Sequence, residues 1–338
     1  MRRFSLIAQA SYSELVASHA DEEPNPWRDG GSLVRLEVQG KGYWYHQTKV
    51  GGRIHKRSIG PDSPELQPLL SDAKHAIEAA RERRAGRRTL VRALRASFYP
   101  TLDPLSGRVM AALAAAGVFR SGSVLVGTQA FRAYPAMLGV RLPAAAALTA
   151  DIDLGQTPRA TGLRVKPGAA AILRGVDRRF EPVLGCDRPP HATRWRLPSG
   201  ELSVDLITPW SGRGSPRPRA IPQLDAHATP VRFLDYLLRD PVPAALLWQS
   251  GILVTVPSPA RYALHKLMVA ERRNPTEHSK ASKDLAQAEA LLEVLLSDQP
   301  EELAQRWSEL RAKGPAWRKA ADASLRKLPH AIREALEG

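Results

Sequence analysis

TADIDLG, residues 149–155, sets Asp151 and Asp153 on either side of Ile152 and runs on into Leu154 and Gly155. In an extended strand alternate side chains share a face. The two carboxylates would project together while Ile152 and Leu154 point into a core. Like charges held that close raise one another's pKa unless a cation lies between them or water screens them. The stretch therefore reads either as a metal site or as an exposed loop, and its neighbours must decide.

Upstream, VLVGTQAF (124–131) places an apolar strand, Val124 to Val126, directly before Gly127-Thr128, with a helix expected from Gln129 onward. Such a turn gathers unpaired backbone N–H groups and a positive helix end at one point, which suits a phosphate. Downstream, RRFEPVLG and RWRLPSGELSVDLITPW read as strands, the latter a hairpin about Pro198-Ser199-Gly200. In its second arm Asp205 is a lone acid among Val204, Leu206 and Ile207. A carboxylate in an apolar strand is costly when buried and bound to nothing. The segment 209–230, rich in Pro, Gly and Arg, is expected to be an irregular, mobile loop. From Ser258, which caps a helix opening on Pro259, the chain is expected to be almost wholly helical.

The N-terminal third has a different texture. Residues 32–60 predict a small antiparallel sheet: SLVRLEV, then YWYHQTKV, a Gly51-Gly52 turn, and RIHKRSIG. It carries Tyr43, Trp44 and Tyr45 among Lys49, Arg53, Lys56 and Arg57. Interleaved aromatics and cations can stack bases and hold phosphates, and a sheet with one packed and one wet face explains the same pattern. DSPELQPLLSDAKHAIEAARERRAGRR predicts a helix capped by Ser63, delayed by Pro68 until Leu69, and ending near Gly86 in an arginine cluster. Arg83, Arg84, Arg87 and Arg88 of that cluster, with Trp44, are the candidate nucleic-acid contacts; a solvated helix end is the other reading. A second helix, roughly 104–116, should stop at Gly117.

The chain has 338 residues and an excess of 49 Lys+Arg over 34 Asp+Glu, a net charge of +15. That surplus favours a polyanionic partner such as RNA, DNA or nucleotide phosphates. No apolar run reaches the roughly 18 residues of a bilayer span, and the start lacks a signal-like apolar segment, so a cytoplasmic location without membrane association is expected. Cys186 is the only cysteine and excludes an internal disulfide; the nine histidines show no zinc spacing. Cys186, His191 and His265 are expected to be structural.

Taken together, the order is strand, Gly127-Thr128, helix, an Asp-x-Asp strand, a later strand with Asp205, then helices. It resembles the DNA polymerase β-like nucleotidyltransferase superfamily. Over residues 105–297, VLVGTQAF, TADIDLG, SVDLITP and VPSPARYALHKL look like bacterial nucleotidyltransferase-fold proteins, more distantly related to AbiEii-like toxins of toxin–antitoxin systems. With the N-terminal sheet and helix read above, the expectation is an α/β (α+β) chain: a β-hairpin module at 1–62, a helical connector at 63–104, a small mixed-sheet nucleotidyltransferase core at 105–257, which the resemblance supplies, and a C-terminal helical domain at 258–338. The resemblance implies two Mg²⁺ ions, with Mn²⁺ as substitute, held by the catalytic acids Asp151, Asp153 and Asp205. Gly127, Thr128, Gln129 and Lys266 would meet the phosphates of an NTP, a surface lysine being the other reading of Lys266, and Lys283-Asp284 resembles a short Lys/Arg-Asp pair of the AbiEii-like proteins. Thr128 stands where Gly or Ser is usual, and 22 residues separate it from Asp151, more than is common; RLPAAAALTA absorbs the excess. The expected activity is transfer of a nucleoside monophosphate from an NTP to an acceptor, RNA or protein among the candidates. The alternative is a catalytically silent fold serving as a nucleic-acid-binding or regulatory module.

Overall fold

The computed structural model describes the chain except for residues 1, 21–26, 28–29, 51–52, 144–150, 158–162, 186–189, 211, 213–215, 274–277 and 338. The Gly51-Gly52 turn, Cys186, most of RLPAAAALTA and the start of TADIDLG lie outside the described residues. The chain opens on helix α1 (Leu6–Ala20), followed by strands β1 (Ser32–Val38), β2 (Lys41–Val50) and β3 (Arg53–Pro61). Helices α2 (Gln67–Ala96) and α3 (Pro104–Ala115) lead to strand β4 (Val124–Val126) and the short helices α4 (Gly127–Phe131) and α5 (Tyr134–Leu138). Then come β5 (Ile152–Gly155), α6 (Ala169–Val176), β6 (Glu181–Leu184), β7 (Ala192–Arg196), β8 (Ser203–Pro209), β9 (Arg219–Ile221) and β10 (Ala226–Val231). Helix α7 (Leu234–Leu237) and the pair β11 (Val242–Leu246) and β12 (Ile252–Val256) precede α8 (Pro259–Glu271), α9 (His278–Asp298), α10 (Pro300–Ala312), α11 (Pro315–Leu325) and α12 (His330–Glu337). No helix among the described residues is long and apolar enough to cross a membrane.

The expected mixed α/β architecture with a helical C-terminal region is present. The central sheet runs β4-β5-β8-β10-β9, with β7 also on β8 and β6 beyond it. Strand β8 is shared in halves: Ser203 to Asp205 pair antiparallel with β7, and Ile207 to Pro209 pair parallel with β10. Ile152, Leu154, Val204 and Leu206 fill the core as their alternation demands. Helix α8 is buried along most of its length, and α9, α10 and α11 pack around it in the same apolar core as the sheet. A helix buried on most of its faces needs such a jacket, and its buried Arg261 is paired with Glu309 of α10. Ser258 caps it as expected, accepting from the Arg261 N–H at 3.3 Å.

Several expectations are corrected. Helix α2 neither starts from a Ser63 cap nor ends near Gly86. Ser63 makes no capping bond, a 3-10 turn over Pro64–Leu66 comes first, and the helix runs on to Ala96 because Val91 and Leu94 keep burying the same face as Leu70, Ala73, Ile77 and Ala80. The 209–230 segment is not wholly irregular. Its second half forms β9 and β10, since the free edge of β8 accepts another strand. Helix α4 begins at Gly127 rather than Gln129. Helix α1 and the β11–β12 hairpin had no counterpart in the sequence reading. Helix α1 packs not on the three-stranded sheet but with Val91, Leu94, Tyr99, Ala245 and Leu247.

Candidate active site

Strands β5 and β8 lie side by side and parallel, in a register that sets Asp153 beside Asp205. Neighbouring strands are about 4.8 Å apart, so the two carboxylates leave the same face as close neighbours. Asp151 joins them at the head of β5. The Ser203 hydroxyl donates to Asp151 Oδ1 at 2.8 Å, and its oxygen is 3.4 Å from Asp205 Oδ2, so one side chain spans the outer two acids. Asp205 is buried, at 8% exposure. Arg194, in register with it on β7, forms a salt bridge to Asp205 Oδ1. Asp153 has no such partner, and its carboxyl is pushed up to about 6, first by desolvation, then by the charges of Asp205 and Asp151, against the pull of Lys266 and Arg194.

The turn into α4 closes the other side. Gly127 has φ +65°, and a Cβ there would come within 2.2 Å of Asp153 Oδ2; the missing side chain is what lets the acid sit against the turn. Tyr262 of α8 donates its hydroxyl to the Gly127 carbonyl at 2.9 Å. Lys283 of α9 donates to Thr128 Oγ1 at 3.0 Å and lies close enough to Asp151 to feel its charge. Desolvation and then neighbouring Lys266 lower the Lys283 pKa. Lys266 is neither a surface lysine nor free to grip a phosphate: its ammonium is 2.5 Å from Asp284, which also accepts from Arg273 at 3.1 Å. Gln129 is wholly buried, with neither amide atom hydrogen-bonded.

Residues 105–312 match the family model of the nucleotidyltransferases. The chain belongs to the nucleotidyltransferase family. The matched span takes in every residue of the site just described, from Gly127 to Lys283. A solved structure, an antigenic nucleotidyltransferase-like protein from Paracoccidioides brasiliensis, is similar over 66% of this chain and 95% of its own, with 17% identity and a TM-score of 0.33. No curated protein matches.

In this nucleotidyltransferase the donor atoms are of the kind a hard divalent cation takes: carboxylate oxygens on adjacent strands, with the Asp153 carboxyl raised by desolvation and by the two neighbouring acids. Among the described residues, however, no group of three or more His, Cys, Asp or Glu is arranged to hold a metal ion, because Asp205 is turned to Arg194 and Asp151 to Ser203. The candidate nucleic-acid contacts differ in their surroundings, and half-buried Arg84 has its guanidinium beside Gly30. Trp44 faces Asp62, to which its indole N–H donates at 2.9 Å. Arg87 is buried and donates to the Ser18 carbonyl at 3.0 Å, while Arg83 and Arg88 are exposed. Helical geometry explains the split: Arg87 shares a face with Val91 and Leu94, so a run of arginines in sequence is not a patch in space. His265 is buried with its pKa lowered to about 3 by desolvation and then Lys266, and His191 stacks on His227 at 3.7 Å.

Arg194, Ser203 and Tyr262 were missed by the sequence reading. Arg194 was legible. Counted outward from the Leu197–Leu202 pair that closes the hairpin, Arg196 meets Ser203 and Arg194 meets Asp205.

Proposed function

We propose that the chain moves a nucleoside monophosphate from an NTP to an acceptor hydroxyl or phosphate with release of pyrophosphate, using Asp151, Asp153 and Asp205 as its catalytic carboxylates, as in polymerase β-like enzymes. The observation that carries this reading is the register of Asp153 with Asp205 directly beside the Gly127 turn. Two Mg²⁺ ions, or Mn²⁺, held by these acids would neutralise the triphosphate and acidify the attacking hydroxyl. The chain's own groups do the rest. Gly127 lets Asp153 sit against the turn, and Thr128 and Lys283 offer a hydroxyl and an ammonium to a phosphate there. Lys266, tied to Asp284, acts on Asp153 through its field rather than by contact. Arg194 is the resident counter-charge of Asp205 and would have to release it to a bound cation, which would free its guanidinium for a phosphate oxygen.

The direct test is incubation with each labelled NTP, Mg²⁺ and total RNA or cell lysate. Label should appear in an acceptor with wild type and vanish with Asp153→Asn. Absence of transfer with all four NTPs in both acceptor pools, or equal transfer by the variant, removes the proposal.

A further inference from the structure

Helix α4 has a second business end. Its first residue, Gly127, faces Asp153, while its last, Phe131, and the following Arg132 line a cleft of about 650 Å³. The five-residue helix is about 7 Å long, so cleft and acids are close neighbours. Phe4, Phe98, Arg141 and Leu142 are among its other walls, with one acid, Asp103, whose carboxylate is turned to the Leu105 and Ser106 N–H groups that it caps. The Arg141 guanidinium lies over both the Phe4 ring, at 5.2 Å, and the Phe98 ring, at 5.6 Å. Among the described residues no carboxylate pairs with it.

Phe98 is the telling residue. It follows the C-cap Ser97 of α2, has φ +63° and is 76% exposed. That position is usually glycine, and a bulky side chain in the left-handed region costs on the order of 1 kcal/mol or more. Hydration of an open phenyl ring adds to the cost. The strained backbone presents the ring beside an uncompensated cation. An aromatic platform adjoining arginines fits a planar base joined to a phosphate. A duplex keeps its bases stacked inside and offers no free ring face, whereas a single strand does. The chain's +15 charge matches an extended polyanion.

We propose that this cleft seats one nucleotide unit of a single-stranded nucleic acid, its base on Phe98 and its phosphate on Arg141 and Arg132. Resting on the nucleotidyl-transfer reading, the seat lies one short helix from the acids and would make the strand's end the acceptor.

The test measures binding of fluorescein-labelled single-stranded and duplex 12-mers by anisotropy, without NTP or divalent ion, so that it is independent of transfer. Phe98→Gly removes the ring and relaxes the left-handed backbone, so thermal stability should hold or rise. Single-strand affinity should fall roughly tenfold with an unchanged salt slope. Phe98→Tyr should retain it. Arg141→Gln should weaken binding and lower the salt slope by about one. Wild-type affinity in Phe98→Gly, an equal loss for duplex, or loss of UMP binding with strand binding intact would each overturn the proposal, the last by making the cleft a free-nucleotide site. If strand binding behaves as expected but no label is transferred, the seat stands and the enzymatic reading fails.

Discussion

Asp153 stands in a tight corner: an acid packed against a glycine turn, flanked by two other acids, and raised to about 6. Its folded-state pKa lies above the unfolded value near 3.8, so the contribution it makes to stability is full below about pH 4 and is lost as pH rises through 6. Asp153→Asn should therefore be more stable than wild type at pH 7, by on the order of 2 kcal/mol in the absence of divalent ions, and indistinguishable near pH 4. Urea unfolding at the two pH values checks this. Equal stabilities at pH 7 would mean that Arg194 and solvent already screen the carboxylate. The same variant should lose transfer, so the group that costs stability is the one the chemistry needs. The pairing of acids was readable in the sequence because strand periodicity is a local rule. Lys283 could be placed only by resemblance, because the contact that brings it to Thr128 depends on how α9 packs.

Helix α2 and helix α4 each contain a glycine, and the two illustrate what an element can hide. Gly86 sits mid-helix in α2, where an added Cβ meets nothing within 4 Å. Gly86→Ala should stabilise the protein by about 0.5–1 kcal/mol, since glycine there has only its excess unfolded freedom to lose. Gly127→Ala, with φ +65° and a carboxylate oxygen in the way, should cost about 2 kcal/mol or more and abolish transfer. Thermal unfolding of the pair, with opposite signs expected, is the check. The arginine run around Gly86 reads as a solvated helix end in the sequence; the apolar face that continues past it through Val91 and Leu94 is the better signal. Helix α1 was missed for a related reason. Its few buried residues, Ala8, Tyr12 and Leu15, make a stripe too thin to stand out against Leu6 and Ile7, which are exposed.

For the molecule as a whole, the charge surplus has to be read from where cations stand rather than how many there are. Replacing Arg83 and Arg88 by Ser should lower the salt slope of nucleic-acid binding without changing stability, whereas Arg87→Ser should destabilise the fold by about 1–3 kcal/mol through its lost bond to Ser18. Binding isotherms at several salt concentrations, beside unfolding curves, separate the two roles. The strand order of the central sheet has a further consequence, for how the protein comes into being. The outer acids are bridged across 52 positions of sequence, and Lys283 meets Thr128 across 155. Contacts of that span are entropically late, because long loops must close before they are rewarded. A ribosome that has released the chain only as far as β8 has already delivered all three aspartates, but neither Tyr262 nor Lys283, which come from α8 and α9. Such a nascent chain already has Arg194 and Ser203 for its acids but nothing behind the Gly127 turn. The corner is therefore completed only when the helical jacket arrives, with Tyr262 and Lys283 closing it last.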